Sequence, residues 1–319
     1  MVKPRPVPRF DVRAGAASPP RRMVSGMRAH AARVAALGYA CLDYRFWVER
    51  FPPVGARTPA GAYRMDLGGP AAVGALTVAR LGGAAVFFGR RGDDDAGRRA
   101  EAILSVEGVD TRGFRAFAGA RTPVSGVLIA SDGERHIFAY RGEGLPDGAE
   151  WLPLDALRTA QAVLLDGRWP TGAARAAEAA RRQGLPVVLD LDGETAAAMR
   201  LAGLSTHVIA DEEMAAACGG VDRLLSELTE LGVWGAVTQG AAGVVHAAGR
   251  VPGFPVTARD TTGAGDVFHA AFALALAEGQ AEDAALVFAS AAAAQRCALG
   301  DVPRRSDVTP LCRGRGRRA

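Results

Sequence analysis

The half of the chain that begins at Trp151 alternates short apolar runs with longer alanine-rich segments. The apolar runs have the length of buried strands, and the alanine-rich segments have the length of helices. Strands that alternate with helices favour a parallel sheet covered by helices on both faces. The sequence therefore predicts an α/β fold. The predicted strands cover residues 162–166, 186–191, 207–210 and 235–238, with an antiparallel addition at 243–247, and the predicted helices cover 171–183, 194–203, 213–218, 222–231, 264–278 and 282–298.

The first part of the chain adds two further predicted strands. Residues 34–42 form a short apolar run that ends at Asp43, as expected of a buried parallel strand with an acid at its carboxyl end. Ligands of open α/β sheets bind at those ends. Gly68-Gly69-Pro70 precedes an alanine-rich helix, and Pro70 suits the first turn of a helix. The second strand is predicted at 84–88.

In residues 114–142 the pattern of the sequence is different, because apolar and polar residues alternate there. Two alternating runs flank Asp132-Gly133, a pair that is typical of a hairpin turn. The segment 44–67 is rich in aromatic residues, Pro and Gly, and has no helical period. Together the two segments predict a small β-sheet outside the α/β body. A sheet beside ligand-binding residues is suited to act as a lid that excludes water.

The two ends of the chain are basic. Residues 1–30 are rich in Pro and Arg, and we expect them to be disordered; residues 301–319 are expected to form a basic tail, which leaves 31–300 as the folded domain. These ends carry much of the net charge of +4, and basic tails are usually solvated, so we expect neither a nucleic-acid partner nor a membrane. No apolar run has the length of a membrane span, and the four cysteines lie far apart, which favours the reducing cytoplasm.

Lysine is almost absent from the chain, since Lys3 is the only one. A P-loop needs a lysine at the phosphates, and a protein kinase needs one on a strand. Both classes are therefore excluded. Any phosphate chemistry has to depend on backbone amides, arginines and a metal ion.

The stretch DTTGAGD at residues 260–266 opens directly into an apolar helix. The start of a helix has unpaired backbone N–H groups, which together with the helix dipole attract an anion, phosphate above all. Gly263 and Gly265 allow the main chain to approach that anion closely. Asp266 would repel a phosphate, so its position indicates that it accepts the proton of an attacking hydroxyl. The plainer alternative is an N-capped helix with a tight glycine turn.

This stretch resembles the C-terminal motif of the PfkB (ribokinase-like) carbohydrate kinases, and the resemblance extends over most of residues 33–300. It implies a three-layer α/β/α sandwich with a mainly parallel central sheet and a small β-sheet lid. It also implies that the amides of Gly263, Ala264 and Gly265 form an anion hole for the transferred phosphate, and that Asp266 is the general base. A homodimer through the lid is part of the same expectation.

The resemblance assigns sugar hydroxyls to Asp43, Gly68 and Gly69. Many relatives have Asn where Val73 stands, and valine cannot form a hydrogen bond through its side chain. Several local strings are most similar to the ketohexokinase and sulfofructose kinase branch, in which Arg168 would contact a sulfonate. Other sulfonate contacts of that branch fall on Ala62 and Ala139. An ion pair of Arg168 with Asp190 or another acid is the alternative.

The resemblance places ATP near Thr238, Gly240, Gly243 and Thr262. Magnesium is expected beside Glu213, in an element where Asp211 stands in a position close to the family's Asn. Asp260 is expected to shape the loop and to lie near a monovalent cation such as K⁺. His269, one turn after Asp266, is interpreted as a hydrogen-bonded helix residue without a catalytic role.

The function implied is transfer of the γ-phosphate of ATP to a hydroxyl of a ketohexose, a sugar phosphate or sulfofructose. A nucleoside kinase on the same fold is the second hypothesis. A third is a sugar-binding regulatory homologue that has lost turnover, which the departures at Val73 and Ala210 favour and the intact DTTGAGD stretch opposes.

Overall fold

The structure is a computed structural model, and it describes residues 31–192 and 195–315. Its strands are β1 (Arg33–Gly38), β2 (Cys41–Trp47), β3 (Ala62–Gly68), β4 (Ala84–Gly92), β5 (Asp110–Phe117), β6 (Val124–Ile129), β7 (Arg135–Tyr140), β8 (Ala162–Asp166), β9 (Val187–Leu191), β10 (His207–Asp211), β11 (Trp234–Thr238), β12 (Val244–His246) and β13 (Gly249–Val251). Its α-helices are α1 (Pro70–Arg80), α2 (Asp95–Val106), α3 (Pro170–Arg182), α4 (Thr195–Leu204), α5 (Glu212–Ala217), α6 (Val221–Glu230), α7 (Ala264–Ala277), α8 (Glu282–Leu299) and α9 (Arg305–Arg315).

The large sheet has nine strands in the order β13-β12-β11-β10-β9-β8-β1-β4-β5. The strands from β11 to β5 in this order pair in parallel, and β12 and β13 pair antiparallel, as the sequence predicts for the addition at 243–247. Successive residues of a strand face opposite sides of a sheet. Accordingly Val34 and Ala36 belong to one buried cluster, with α1, α7 and α8, while Ala35 and Leu37 belong to a second, with α3, α4 and α6. The predicted three-layer α/β/α architecture is confirmed.

The small sheet has four strands in the order β3-β2-β6-β7, and β2 pairs with β6 in parallel. Two of its expected boundaries are wrong. The apolar run at 34–42 is not one strand, because the chain turns at Gly38, where φ is 153° and a Cβ would lie 2.3 Å from the Asp166 carboxyl group. Asp43 therefore lies on β2 of the small sheet, not at the carboxyl end of β1. The strand β5, expected in the small sheet from residue 114, pairs with β4 in the large one.

The C-terminal segment differs from the expected basic tail. Helix α9 occupies Arg305–Arg315, and Val308 is fully buried in the same cluster as α7 and α8. An apolar residue that packs against the body gives this basic segment a reason to be helical. The expected disordered head at 1–30, and the last four residues, lie outside the described residues.

Candidate active site

Asp266 lies in the first turn of α7, at the end of the DTTGAGD stretch. Gly263 caps this helix in the left-handed conformation, with φ of 74°, which a glycine adopts without strain. The amide of Ala264 donates to Thr261 O at 3.2 Å. Within the described part of the chain, the amides of Gly263, Gly265 and Asp266 donate to no protein acceptor. A Cβ on Gly265 would have no atom within 4 Å, so the helix start is open to a ligand.

Asp266 shares a small cavity with two other carboxylates and a histidine. The lining residues include Asp166 at the end of β8, Asp190 on β9 and His269 on α7. These residues meet because β8 and β9 are neighbours in the sheet, and α7 packs across both.

The environment raises the pKa of Asp266 to about 7. Burial is the largest cause, although the side chain keeps partial contact with solvent. The negative charges of Asp190, Asp166 and Asp43 act in the same direction, and His269 opposes them. A carboxylate with such a pKa is a stronger base than an ordinary aspartate and is still largely ionised above neutral pH.

Both ring nitrogens of His269 lie within hydrogen-bond distance of a carbonyl oxygen, and a ring with a single N–H donates to one of the two. Nδ1 lies 2.7 Å from Gly265 O, and Nε2 lies 3.2 Å from Ile209 O and 3.6 Å from Asp190 Oδ1. Burial lowers the pKa of His269. Its contact with Asp190 joins the Asp266 helix to β9.

Asp43 borders the other side of this region, on β2 of the small sheet. The thiol of Cys41 donates to Asp43 Oδ1 at 3.3 Å, and burial raises the pKa of Asp43. A Cβ on Gly68 would lie 2.5 Å from the Asp43 carboxyl group, so a larger residue there would displace the Asp43 side chain. Gly69 has φ of 95°, and its Cβ would lie 2.4 Å from Tyr39 O. The expected sugar ligands Asp43, Gly68 and Gly69 are therefore adjacent.

Asp166 lies beside Asp266 and positions the surrounding backbone, and the sequence analysis did not single it out. It is 1% exposed and accepts three backbone N–H groups, from Tyr39 at 2.8 Å, Ala71 at 3.1 Å and Arg168 at 2.9 Å. The amide of Ala71 belongs to the first turn of α1, so Asp166 caps that helix from a different strand. It also holds the turn from β1 to β2. The only sequence signal was its position at a strand end.

Arg168 follows β8 and forms an ion pair with Asp192, which follows β9. The sequence left open an ion pair with Asp190 or another acid as the alternative to an anionic ligand, and the structure has that ion pair with Asp192 as the acid. The guanidinium side chain is 30% exposed. It therefore lies at the carboxyl ends of the sheet strands with one side still open to solvent.

The residues expected to contact ATP lie at the end of β11. The Thr238 hydroxyl donates to Ala210 O at 3.3 Å, Gly240 has φ of 52°, and Gly243 has φ of 103°. A Cβ on Gly243 would lie 2.1 Å from Val251 O, so the turn requires glycine. Thr262 lies on the loop before α7, where its amide donates to Asp260 Oδ1 at 2.9 Å.

The residues expected near metals have different surroundings. Glu213 is exposed on α5, and Asp211 caps that helix by accepting the Met214 amide at 2.7 Å. Among the described residues, no group of three or more metal-ligating side chains is assembled. Asp260 is bound by two arginines, Arg45 at 2.7 Å and Arg296 at 3.2 Å. Burial alone would raise the pKa of Asp260, but the Arg45 guanidinium and the hydrogen bonds from Thr262 hold that pKa below the usual range.

Comparisons with known proteins agree with this fold. The structure of Arabidopsis thaliana ribokinase complexed with ribose and ATP has a TM-score of 0.77 to this chain, at 27% identity over 89% of this chain and 99% of that one. The fold is therefore ribokinase-like. The family described as pfkB family carbohydrate kinase matches residues 31–300, and the chain belongs to that family.

Two curated relatives differ in the sugar that their names give. An ATP-dependent ribose-1-phosphate kinase from Halopiger xanaduensis is 33% identical over 82% of this chain and 90% of its own length. Fructokinase-1 of Oryza sativa is 48% identical over 82 residues, which is 26% of this chain and 25% of that protein. These matches do not single out the ketohexokinase and sulfofructose branch. Within the part of the chain that the structure describes, no helix has the length and apolar character needed to cross a membrane.

Proposed function

We propose that the protein transfers the γ-phosphate of ATP to a hydroxyl of a sugar, with Asp266 as the general base. The observation that carries the proposal is the shared site of Asp266 and unpaired helix amides: a carboxylate with a pKa of about 7 beside the open start of α7. Asp43, the proposed sugar ligand, is close enough to raise that pKa further. Base, anion site and sugar ligand thus border one region.

In the proposed mechanism, Asp43, Gly68 and Gly69 hold the sugar so that one hydroxyl faces Asp266. Asp266 accepts the hydroxyl proton as the oxygen attacks the phosphorus. The amides of Gly263 and Gly265 stabilise negative charge on the transferred group, since neither donates to a protein acceptor within the described residues. The amide of Ala264 can join them only by leaving Thr261 O. Base assistance of this kind contributes about 10²–10⁴ in rate.

We propose that ATP lies between the end of β11, at Thr238, Gly240 and Gly243, and the loop at Thr262. Glu213 is an exposed carboxylate on α5 and would hold magnesium through water when the ion is bound with the phosphates. The ion would neutralise phosphate charge when bound. No other part of the proposal depends on it.

For the acceptor we propose a neutral ketose, within the ketohexokinase type of activity. Across the small sheet, Asp43 on β2 pairs with Ser125 on β6, and Ser125 pairs with Ala139 on β7. The methyl group of Ala139 therefore lies on the same face of the sheet as the proposed sugar ligand Asp43. Arg168 already has an acidic partner, Asp192, and does not need a sulfonate or phosphate to balance its charge. Both features weigh against sulfofructose.

The first experiment is an ADP-release screen over ketohexoses, their 6-phosphates, ribose, ribose 1-phosphate, sulfofructose and nucleosides. We expect a ketose to be turned over fastest. Turnover of a nucleoside above every sugar would establish the second hypothesis. Binding of a sugar without ADP release would establish a regulatory homologue.

The second experiment replaces the base. Asp266→Asn should lower kcat by at least about 10²-fold while sugar binding, measured by calorimetry, survives. Asp222→Asn, on the exposed start of α6, is the matched control. Near-normal turnover of Asp266→Asn would remove Asp266 from its proposed role.

We also propose that the outer face of the small sheet forms a homodimer contact. Tyr63 and Phe138 are 54% and 64% exposed, and with Tyr44 and Phe46 they form an aromatic surface on the face opposite Asp43. An exposed apolar patch of this kind typically marks an interface, and a second copy would cover it with its own aromatic residues. Sedimentation should give a dimer for the unmodified chain and a monomer for Phe138→Asp; a monomeric unmodified chain would contradict the proposal.

A further inference from the structure

The carboxylate of Asp260 is occupied by protein donors. Its Oδ2 accepts from Arg45 Nη2 at 2.7 Å and from Arg296 Nη2 at 3.2 Å, while its Oδ1 accepts the Thr262 amide at 2.9 Å. Arg45 is 3% exposed and Arg296 is 6% exposed. A carboxylate has about four lone-pair positions, so little of its capacity remains for another ligand.

The three partners of Asp260 come from different parts of the fold. Arg45 lies on β2 of the small sheet, two residues after Asp43, so both side chains project from the same face. Arg296 lies on α8, and Thr262 belongs to the loop that leads into α7. One carboxylate therefore joins the strand of the proposed sugar ligand, the last long helix and the proposed phosphate loop.

A second arginine of the small sheet contacts the same loop. Arg135, on β7, donates to the Thr262 hydroxyl, while the Thr262 amide donates to Asp260. Both ends of the 260–262 segment are thus held by guanidinium groups of the small sheet. The conformation of this segment decides where Gly263 places the start of α7.

The charge around Asp260 is already positive. Arg45 also pairs with Asp66 at 3.2 Å, and Arg64 pairs with Asp66 at 2.8 Å. The cluster therefore contains three guanidinium groups, Arg45, Arg64 and Arg296, and two carboxylates. A monovalent cation at Asp260 would be repelled by the two neighbouring guanidiniums or would have to displace one of them. Displacement would leave a buried charge without its partner, which is strongly unfavourable. The residues present do not fit the K⁺ ion that the sequence resemblance implies.

We propose that Arg45 and Arg296 supply, from within the chain, the positive charge at Asp260, and that turnover by this protein therefore needs no monovalent cation. The inference rests on the proposed kinase function. The two arginines are positioning residues, because they act on the transferred phosphate only through the 260–263 loop. They keep that loop in shape whether or not an ion is dissolved around the protein.

The test compares the unmodified protein in KCl, NaCl and tetramethylammonium chloride at equal ionic strength. We expect kcat to agree among the three within about threefold, and the melting temperature to show no saturable rise as K⁺ is titrated. A larger K⁺-specific gain in kcat, or a saturable rise in melting temperature with K⁺, would overturn the inference. The melting titration needs no substrate, so it decides the point even if every sugar fails and the kinase proposal falls.

Substitution of the arginines provides the second arm. Arg296→Gln and Arg45→Gln should lower kcat in tetramethylammonium by at least about tenfold, because the 260–263 loop loses a fixed partner. Arg112→Gln removes an exposed guanidinium and is the matched control. Added K⁺ should raise the melting temperature of Arg296→Gln but not of the control, because the lone-pair position on Asp260 Oδ2 that Arg296 occupied can now take an ion, although Arg45 still donates to that oxygen. Turnover of Arg296→Gln equal to the control would overturn the role of the arginines.

Discussion

Asp190→Asn should shift the pH dependence of the enzyme without removing the base. Asp190 has a raised pKa because it is buried near other carboxylates, and it shares its cavity with Asp266. The negative charge of Asp190 raises the pKa of Asp266. The other titratable groups that act on Asp266 are Asp166, Asp43 and His269, and the substitution leaves them in place.

The size of the shift follows from the causes of the raised pKa. A pKa of about 7 in place of the ordinary ~3.9 means that the site disfavours the ionised form by about 4 kcal/mol. Burial is the largest cause and remains in the variant; the charge of Asp190 is the next and is lost. Removal of one like charge should lower the pKa of Asp266 by about one unit.

The base works when it is ionised, so activity falls as the pH drops through its pKa. At pH 6 a base with a pKa of about 7 is roughly one-tenth ionised, and a base with a pKa of about 6 is roughly half ionised. The ratio of kcat/KM at pH 6 to its plateau should therefore rise from about 0.1 to about 0.5, while the plateau itself drops because the base is weaker.

The assay is a pH profile of kcat/KM for Asp190→Asn, with Asp222→Asn as the control. The profile of kcat/KM for the sugar, measured at one fixed ATP concentration, reports the pKa of the enzyme form that has not yet bound the sugar. An acid limb that does not move in a folded Asp190→Asn protein would refute the coupling. A limb that moves to higher pH would refute the sign.

Further predictions concern stability and substrate charge. The folded protein disfavours ionised Asp266, so the stabilising contribution of this group is present below pH ~4 and is lost as the pH rises through 7. Asp266→Asn should therefore have a higher free energy of unfolding in urea than the unmodified protein at pH 8, by a few kcal/mol at most. Asp166→Ala leaves three buried amides unpaired and should lower the free energy of unfolding by about 3–5 kcal/mol, against little change for the exposed Asp155→Ala. Arg168→Gln should change the KM for a neutral ketose by less than about threefold; a rise of tenfold or more would indicate an anionic acceptor.

Local sequence was enough to locate the part of the site that depends on neighbouring residues. The DTTGAGD stretch, its left-handed glycine and the helix that follows are all set within a few residues, so the pattern alone predicts them. The same holds for Gly68 and Gly69 before α1. Strands of the large sheet, such as Ala162–Asp166, were predictable because their buried runs are continuous.

The parts of the site that the sequence did not predict depend on contacts between segments that are distant along the chain. Asp166 holds amides that lie 95 and 127 residues away, and Arg45 meets Asp260 across 215 residues. Nothing in the local pattern marks either contact. The strand of Asp43 was misassigned for a different reason: one glycine, Gly38, turns an apparently continuous apolar run into two strands of different sheets.

The way in which the small sheet is assembled has a consequence for how such a protein can change over evolution. One of its strand pairs, β2 and β3, leaves the body before α1, and the other, β6 and β7, leaves it after β5. A single two-stranded ribbon is barely stable in water, and here the two ribbons are joined through the parallel pairing of β2 with β6. Loss of either ribbon would leave the other as an isolated two-stranded ribbon. A change in the length or shape of the small sheet therefore requires matched changes in two separate stretches of the gene.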